Sequence, residues 1–236
     1  MKNIYKTKIM KKYDDDEAFN PNYDKHHLNI NEHYLVCGGT GSGKSNCVVN
    51  LLTQFHDTFS VIYIFTKDPS EKLYKMLAGE LKDKCIVKPI TEIIDYETLP
   101  KDGQKMVIFD DFICENKNLI KKIETYSTMA RKKFCTCFYL VQNFFSCPTT
   151  IRRNIAYIIL LKMTDKKNLN MIMKVLPHDF NENMVNSIIK NATKFKMNIC
   201  IIDLKTYDES LVFRRNIDEF YNPANLELYN YDGLEN

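Results

Sequence analysis

The sequence predicts an α/β fold: a mainly parallel sheet of about five core strands flanked by helices, with a β-hairpin near the C-terminus. Two observations carry this. Apolar runs of strand length alternate with stretches of helical period, and the first run opens directly into a glycine-rich loop and a helix. At 236 residues the chain suits one generous α/β domain. It divides into an N-terminal arm (1–30), a core (31–205), and a C-terminal hairpin end with tail (206–236).

The loop is the best-defined element. Gly38, Gly39, Thr40, Gly41, Ser42, Gly43, Lys44 and Ser45 fit G-x-x-x-x-G-K-[ST] at every defined position. The apolar run Tyr34–Cys37 precedes it, and Val48, Val49, Leu51 and Leu52 follow at helical spacing, so the context is strand, loop, helix. Its glycines let backbone N–H groups approach phosphate oxygens, and the helix start beyond Lys44, including Asn46, adds a positive dipole end. The motif is that of a P-loop NTPase. Lys44 is expected on the β- and γ-phosphates of ATP and the Ser45 hydroxyl on Mg²⁺.

Composition excludes little else. A net charge of +3 with 27% charged residues is too mild to argue for nucleic acid. No long apolar run and no signal-peptide pattern stand in the chain, so a soluble, intracellular protein without membrane contact is expected. The eight cysteines include no C-x-x-C and read as small, reduced, buried hydrophobes.

In chain order, the arm runs from basic (Lys2, Lys6, Lys8, Lys11, Lys12) to acidic (Asp14–Glu17) without a sustained period. Val61–Phe65 is continuously apolar and suits a strand covered on both faces. Thr66–Ser70 breaks the run and is expected to cap a helix over Leu73, Leu77 and Ala78. Cys85–Val87 reads as an edge strand and Thr91–Tyr96 as a short helix. Met106–Phe109 is a buried strand that ends in Asp110-Asp111, delivering two carboxylates to the edge where open α/β sheets bind ligands. Asp110 is expected to hold Mg²⁺ and Asp111 to act as general base on the attacking water. Asn118–Arg131 has a helical stripe closed by Arg131-Lys132-Lys133, either a basic last turn or a finger for a neighbour's γ-phosphate. Cys137–Val141 is the next strand, ending in Gln142-Asn143 at the ligand edge. Arg152 and Arg153 precede a further strand, Tyr157–Leu161. Helices are expected over Asn168–Leu176 and Glu182–Phe195, then a terminal hairpin from Asn198–Leu204 and Ser210–Phe213.

Taken together, the P-loop, Val107–Asp111, Ala130-Arg131, Leu140–Gln142 and Ile151–Asn154 follow one another in an order that resembles the FtsK-HerA superfamily of ring-forming ATPases. More narrowly, the chain is similar over about residues 30–205 to the poxvirus-type DNA packaging ATPases of large DNA viruses and virophages. That resemblance implies a RecA/FtsK-HerA-like sheet and a motor that hydrolyses ATP to drive double-stranded DNA into a capsid. It implies a homo-oligomeric ring, hexamer or pentamer, that meets capsid vertex proteins and grips DNA through its phosphates. It places the protein in the host cytoplasm at sites of virus assembly, or in the virion. By position, Lys44, Asp111, Gln142 as sensor and Arg131 as finger are catalytic, and Ser45 and Asp110 bind the metal. This chain departs from the wider superfamily in having Asp111 where Glu is usual, and Lys132-Lys133 after Arg131, which leaves Arg152 and Arg153 open as fingers. Rival readings are a plasmid- or chromosome-type DNA translocase and a P-loop nucleoside or nucleotide kinase.

Overall fold

The computed structural model describes residues 19–162, 165–176 and 180–230. The basic-then-acidic part of the arm and the last six residues of the tail lie outside these. The elements in order are α1 (Tyr23–His26), β1 (His33–Cys37), α2 (Lys44–Gln54), β2 (Val61–Thr66), α3 (Lys72–Leu81), β3 (Cys85–Pro89), β4 (Lys105–Asp110), α4 (Lys117–Met129), β5 (Cys135–Val141), α5 (Thr149–Asn154), β6 (Tyr157–Leu160), α6 (Lys166–Met173), α7 (Glu182–Ala192), β7 (Cys200–Asp203), β8 (Phe213–Arg215), β9 (Glu219–Tyr221) and β10 (Leu228–Asn230).

All strands join one ten-stranded sheet in the order β10-β9-β8-β7-β6-β1-β5-β4-β2-β3. From β6 to β3 the neighbours run parallel, and from β6 to β10 they run antiparallel. The α/β class and the mainly parallel core match the sequence reading: the five expected core strands are β1, β2, β4, β5 and β6, and the expected edge strand is β3. The expected terminal hairpin is the β7–β8 pair, and β9 and β10 carry the sheet two strands further. Each of these last strands is only three residues long, too short for its alternation to stand out from the surrounding loop.

The parallel strands are apolar throughout because both faces are covered. Side chains alternate between two cores, as the two-residue period of a strand requires. Leu35, Phe65, Val107, Phe109 and Tyr139 face one side with Ile123 and Tyr126 of α4, Ile172 of α6, and Val185 and Ile188 of α7. Tyr34, Ile64, Met106, Ile108 and Phe138 face the other with Val48 and Leu51 of α2, and Tyr74 and Leu77 of α3.

Several boundaries differ from expectation. Thr91–Tyr96 is not a helix: two short 3-10 turns, Ile90–Glu92 and Tyr96–Thr98, stand at its ends. Ile90, Ile93, Tyr96 and Leu99 are buried, so spacing that resembles helical period is met here by an irregular segment lying on the sheet. The Thr66–Ser70 break does not cap α3. Its N-cap is Glu71, whose side chain makes no capping bond, while Asp68 accepts from Ser70 N at 2.9 Å to close its own turn. The helix expected over Asn118–Arg131 ends at Met129 and tightens into a 3-10 turn over Ala130–Lys133. The other two helices also stop early, at Met173 and Ala192. Thr149–Asn154, not anticipated as helical, is α5. Within the expected arm, His26 and His27 are tied to the sheet: buried Arg214 of β8 donates to their carbonyls, both at 3.0 Å, and stacks over Phe220 of β9.

Candidate active site

The phosphate loop sits at the C-terminal edge of β1. Gly38 N donates to Val141 O at 3.1 Å and Leu161 N to Cys37 O at 2.9 Å, fixing the loop to both neighbouring strands. Gly41 and Gly43 take φ of +72° and +96°, the left-handed region closed to side-chain-bearing residues without strain. Lys44, the first residue of α2, folds its Nζ back to Gly38 O at 2.8 Å and Gly39 O at 3.3 Å. Burial lowers its pKa, and the carboxylates of Asp110 and Asp111 oppose that shift.

Opposite the loop lies a cleft of about 390 Å³ lined by Gly41, Lys44, Ser45, Glu71, Asp110 and Gln142 among others. The structure therefore brings together most of the site expected from sequence: Thr40, Gly41, Gly43, Lys44, Ser45, Asn46, Asp110, Asp111 and Gln142 all line it. Gly38, Gly39 and Ser42 complete the loop behind. A Cβ at Gly38 would stand 2.5 Å from Ser42 Oγ and 2.9 Å from Leu161 Cβ, so glycine there is a packing requirement.

Asp110 is buried at the end of β4 and accepts from the Tyr74 hydroxyl of α3 at 2.6 Å. Burial raises its pKa, while Tyr74 and Lys44 pull it down. Ser45 Oγ and Asp110 Oδ are hard oxygens in one cleft and fit Mg²⁺, which takes one or two protein oxygens and completes its shell from phosphates and water.

Asp111 follows in left-handed conformation, φ +54°, which turns it away from the strand direction. Its carboxylate accepts from Gln142 Nε2 at 3.4 Å and faces Lys67 Nζ at 3.8 Å, and Lys67 also reaches Glu115 at 3.7 Å. Burial, then Asp110 and Asp68, raise the pKa of Glu71. Sequence reasoning missed Tyr74, Lys67 and Glu71. The available signal was the polar break after Val61–Phe65, which falls at the same sheet edge as Asp110 because β2 and β4 are parallel neighbours.

The arginines stand elsewhere. Arg131 lies just ahead of β5, and β5 is in parallel register with β1 from His33↔Cys137 to Cys37↔Val141. This puts Arg131 at the N-terminal edge of the sheet, a strand length of about 15 Å from the loop. It pairs there with Glu32, which also binds Lys205. Arg131, Arg153, Lys205 and His33 line a cleft of about 270 Å³. His33 is held neutral, its pKa lowered to about 4 by burial and by Arg131 and Lys205. Arg152 is engaged locally, donating to Cys147 O at 2.9 Å and Thr149 Oγ1 at 3.1 Å. Lys133 is structural: its buried Nζ donates to the carbonyls of Tyr96, Glu97 and Leu99.

No family model matches the chain, and no curated protein matches it in sequence. Solved structures do. B204, the DNA-packaging ATPase from Sulfolobus turreted icosahedral virus, aligns with a TM-score of 0.57 at 15% identity, covering 80% of this chain and 98% of that one. The chain shares the fold of this ATPase. The genome packaging NTPase B204 from Sulfolobus turreted icosahedral virus 2, in complex with ATP-γS, gives 0.56 at 13% identity over 80% and 98% of the two chains. The cytoplasmic domain of the Thermomonospora curvata type VII secretion ATPase EccC gives 0.53 at 14% identity over 78% of this chain and 25% of that one. The likeness is one of fold, and it agrees with the resemblance read from the motifs. Among the described residues, no helix is long and apolar enough to cross a membrane.

Proposed function

We propose that this chain is an ATP-hydrolysing DNA translocase that packages viral double-stranded DNA into a capsid. The observation that carries the ATPase reading is the single cleft in which Lys44, Ser45, Asp110, Asp111 and Gln142 converge. Lys44 would leave its loop carbonyls for the β- and γ-phosphates, a short rotation of a side chain already over the loop. Ser45 and Asp110 would hold Mg²⁺, which neutralises charge on the phosphates. Asp111 would take a proton from the attacking water as the water oxygen bonds to the γ-phosphorus and the bond to the β–γ bridging oxygen breaks. Gln142, bonded to Asp111, would report the γ-phosphate to β5.

A finger acting on this triphosphate would come from another subunit, since Arg131 and Arg153 stand at the far edge of their own sheet. Their shared cleft supports a ring, hexamer or pentamer, in which each subunit serves its neighbour. DNA would be held through backbone phosphates, with salt-sensitive and sequence-blind affinity. The packaging role, with capsid vertex proteins as partners and virus assembly sites in the host cytoplasm or the virion as location, rests on the motif resemblance and on the B204 fold. A plasmid- or chromosome-type translocase of the same fold is the second reading.

Steady-state ATP hydrolysis with and without linear double-stranded DNA tests the proposal, beside Lys44→Ala and Asp111→Asn. DNA should raise a rate that Lys44→Ala abolishes and Asp111→Asn lowers steeply. A DNA-indifferent protein that phosphorylates a nucleoside or nucleotide would be a kinase instead.

A further inference from the structure

The two sides of the phosphate loop differ. Strands β5 and β4 lie on one side of β1 and bring Gln142, Asp110 and Asp111 to the loop. Strands β6 and β7 lie on the other, and β7 is antiparallel to β6 with Leu160 opposite Cys200. The residues just before Cys200 are thus returned to the edge where the loop stands. There the Met197 thioether rests on the loop itself: a Cβ built at Gly43 would be 3.1 Å from Met197 Sδ and 3.3 Å from its Cε, with Leu161 Cδ2 at 3.9 Å. Met197 is nevertheless 41% exposed, and Phe195 beside it 63%.

The local backbone is built to present these side chains. Asn198 N donates to Phe195 O at 3.2 Å, closing a four-residue turn whose third residue is Met197 at φ +75°. Glycine or asparagine normally takes that position. A methionine there accepts strain to set its side chain against Gly43, and Phe195 stands in water with Lys194 Nζ 5.4 Å from its ring centroid. Core packing does not explain two large apolar side chains left this exposed.

A triphosphate in this loop has a defined direction. On the nucleotide-binding reading its γ end would lie toward the acids and Gln142, and its α end and nucleoside toward β6 and β7. We propose that Met197 and Phe195 form the platform on which the nucleotide's purine ring stacks. This rests on the nucleotide-binding reading above and names a subsite for the part of ATP that the phosphate loop does not touch. A thioether and an aromatic face recognise any planar base without reading its hydrogen-bonding edge. The site should therefore hold ATP and GTP with similar affinity.

Dissociation constants for ATP and for inorganic tripolyphosphate, measured by calorimetry on wild type, Met197→Gly and Phe195→Ala, test this. Glycine is favoured at the third turn position, so Met197→Gly removes the thioether without threatening the fold. ATP should bind about tenfold more weakly to each variant, while tripolyphosphate, which has no base, binds as before. Unchanged ATP affinity, or equal weakening of ATP and tripolyphosphate, would overturn the platform. A wild type that binds neither ligand would remove the nucleotide reading itself, and a strong preference for ATP over GTP would show that edge-reading groups act instead of stacking.

Discussion

The Tyr74 hydroxyl donates to Asp110 Oδ2 at 2.6 Å across the junction of α3 and β4, tying the strand carboxylate to the helix that begins after Glu71. Tyr74→Phe removes a buried, charge-assisted bond. We expect a loss of about 1.5–3 kcal/mol in unfolding free energy, read by urea denaturation, together with weaker magnesium-nucleotide binding.

Asp110 itself is held at a raised pKa, mainly by burial. A carboxyl whose folded pKa lies above its unfolded one favours folding when protonated. That contribution is complete below the unfolded value and is lost as pH rises through the folded value. Asp110→Asn should therefore melt higher than wild type at pH 7, by about 2–4 °C per kcal/mol relieved, with the difference shrinking toward pH 4. The same variant should lose hydrolysis. A lower melting temperature at pH 7 would contradict the assignment of burial as the dominant influence.

Gly43→Ala meets two obstacles, a φ of +96° and the Met197 thioether at 3.1 Å. A destabilisation of about 1–3 kcal/mol is expected, with triphosphate binding impaired alongside. Gly39→Ala is the control, since a Cβ there meets nothing within 4 Å.

Asp111 is engaged with Lys67 and Gln142, whereas Glu71 lines the same cleft and makes no capping bond. Single-turnover hydrolysis should fall roughly 100-fold in Asp111→Asn with nucleotide binding retained. A comparable fall in Glu71→Gln would show that the two carboxylates divide the work of positioning and deprotonating water.

Subunit mixing checks the arginines. Arg131→Ala alone should lower turnover by about 10³-fold, and Lys44→Ala should be inactive. Mixed rings of the two should recover part of the rate, because a Lys44→Ala subunit still offers its arginine to a neighbour with an intact loop. No recovery at any ratio would place Arg131 outside the reaction.

How much of this was legible in the sequence follows from how local each feature is. The phosphate loop and the Asp110-Asp111 strand end were readable because each lies within one uninterrupted segment, and an apolar run directly before a polar break marks a sheet edge. Tyr74 and Glu71 were not, because their roles depend on β2 lying beside β4, a neighbour relation that periodicity does not encode. Strands β9 and β10 were hidden by brevity. Arg131 was visible as a residue, but its place at the far edge from Lys44 emerged only with the register of β5 on β1.

That separation of Lys44 from Arg131 gives the subunit a head and a tail. On the proposed function, a neighbour's arginine edge meets this loop, and the two ends of one subunit then serve different copies. Association of that kind would be head-to-tail, and head-to-tail contacts either close into a ring or continue as a helical filament. Ring size would then be set by the angle between one subunit's β1 and the next, so a substitution that alters this angle alone would change how many subunits share each DNA.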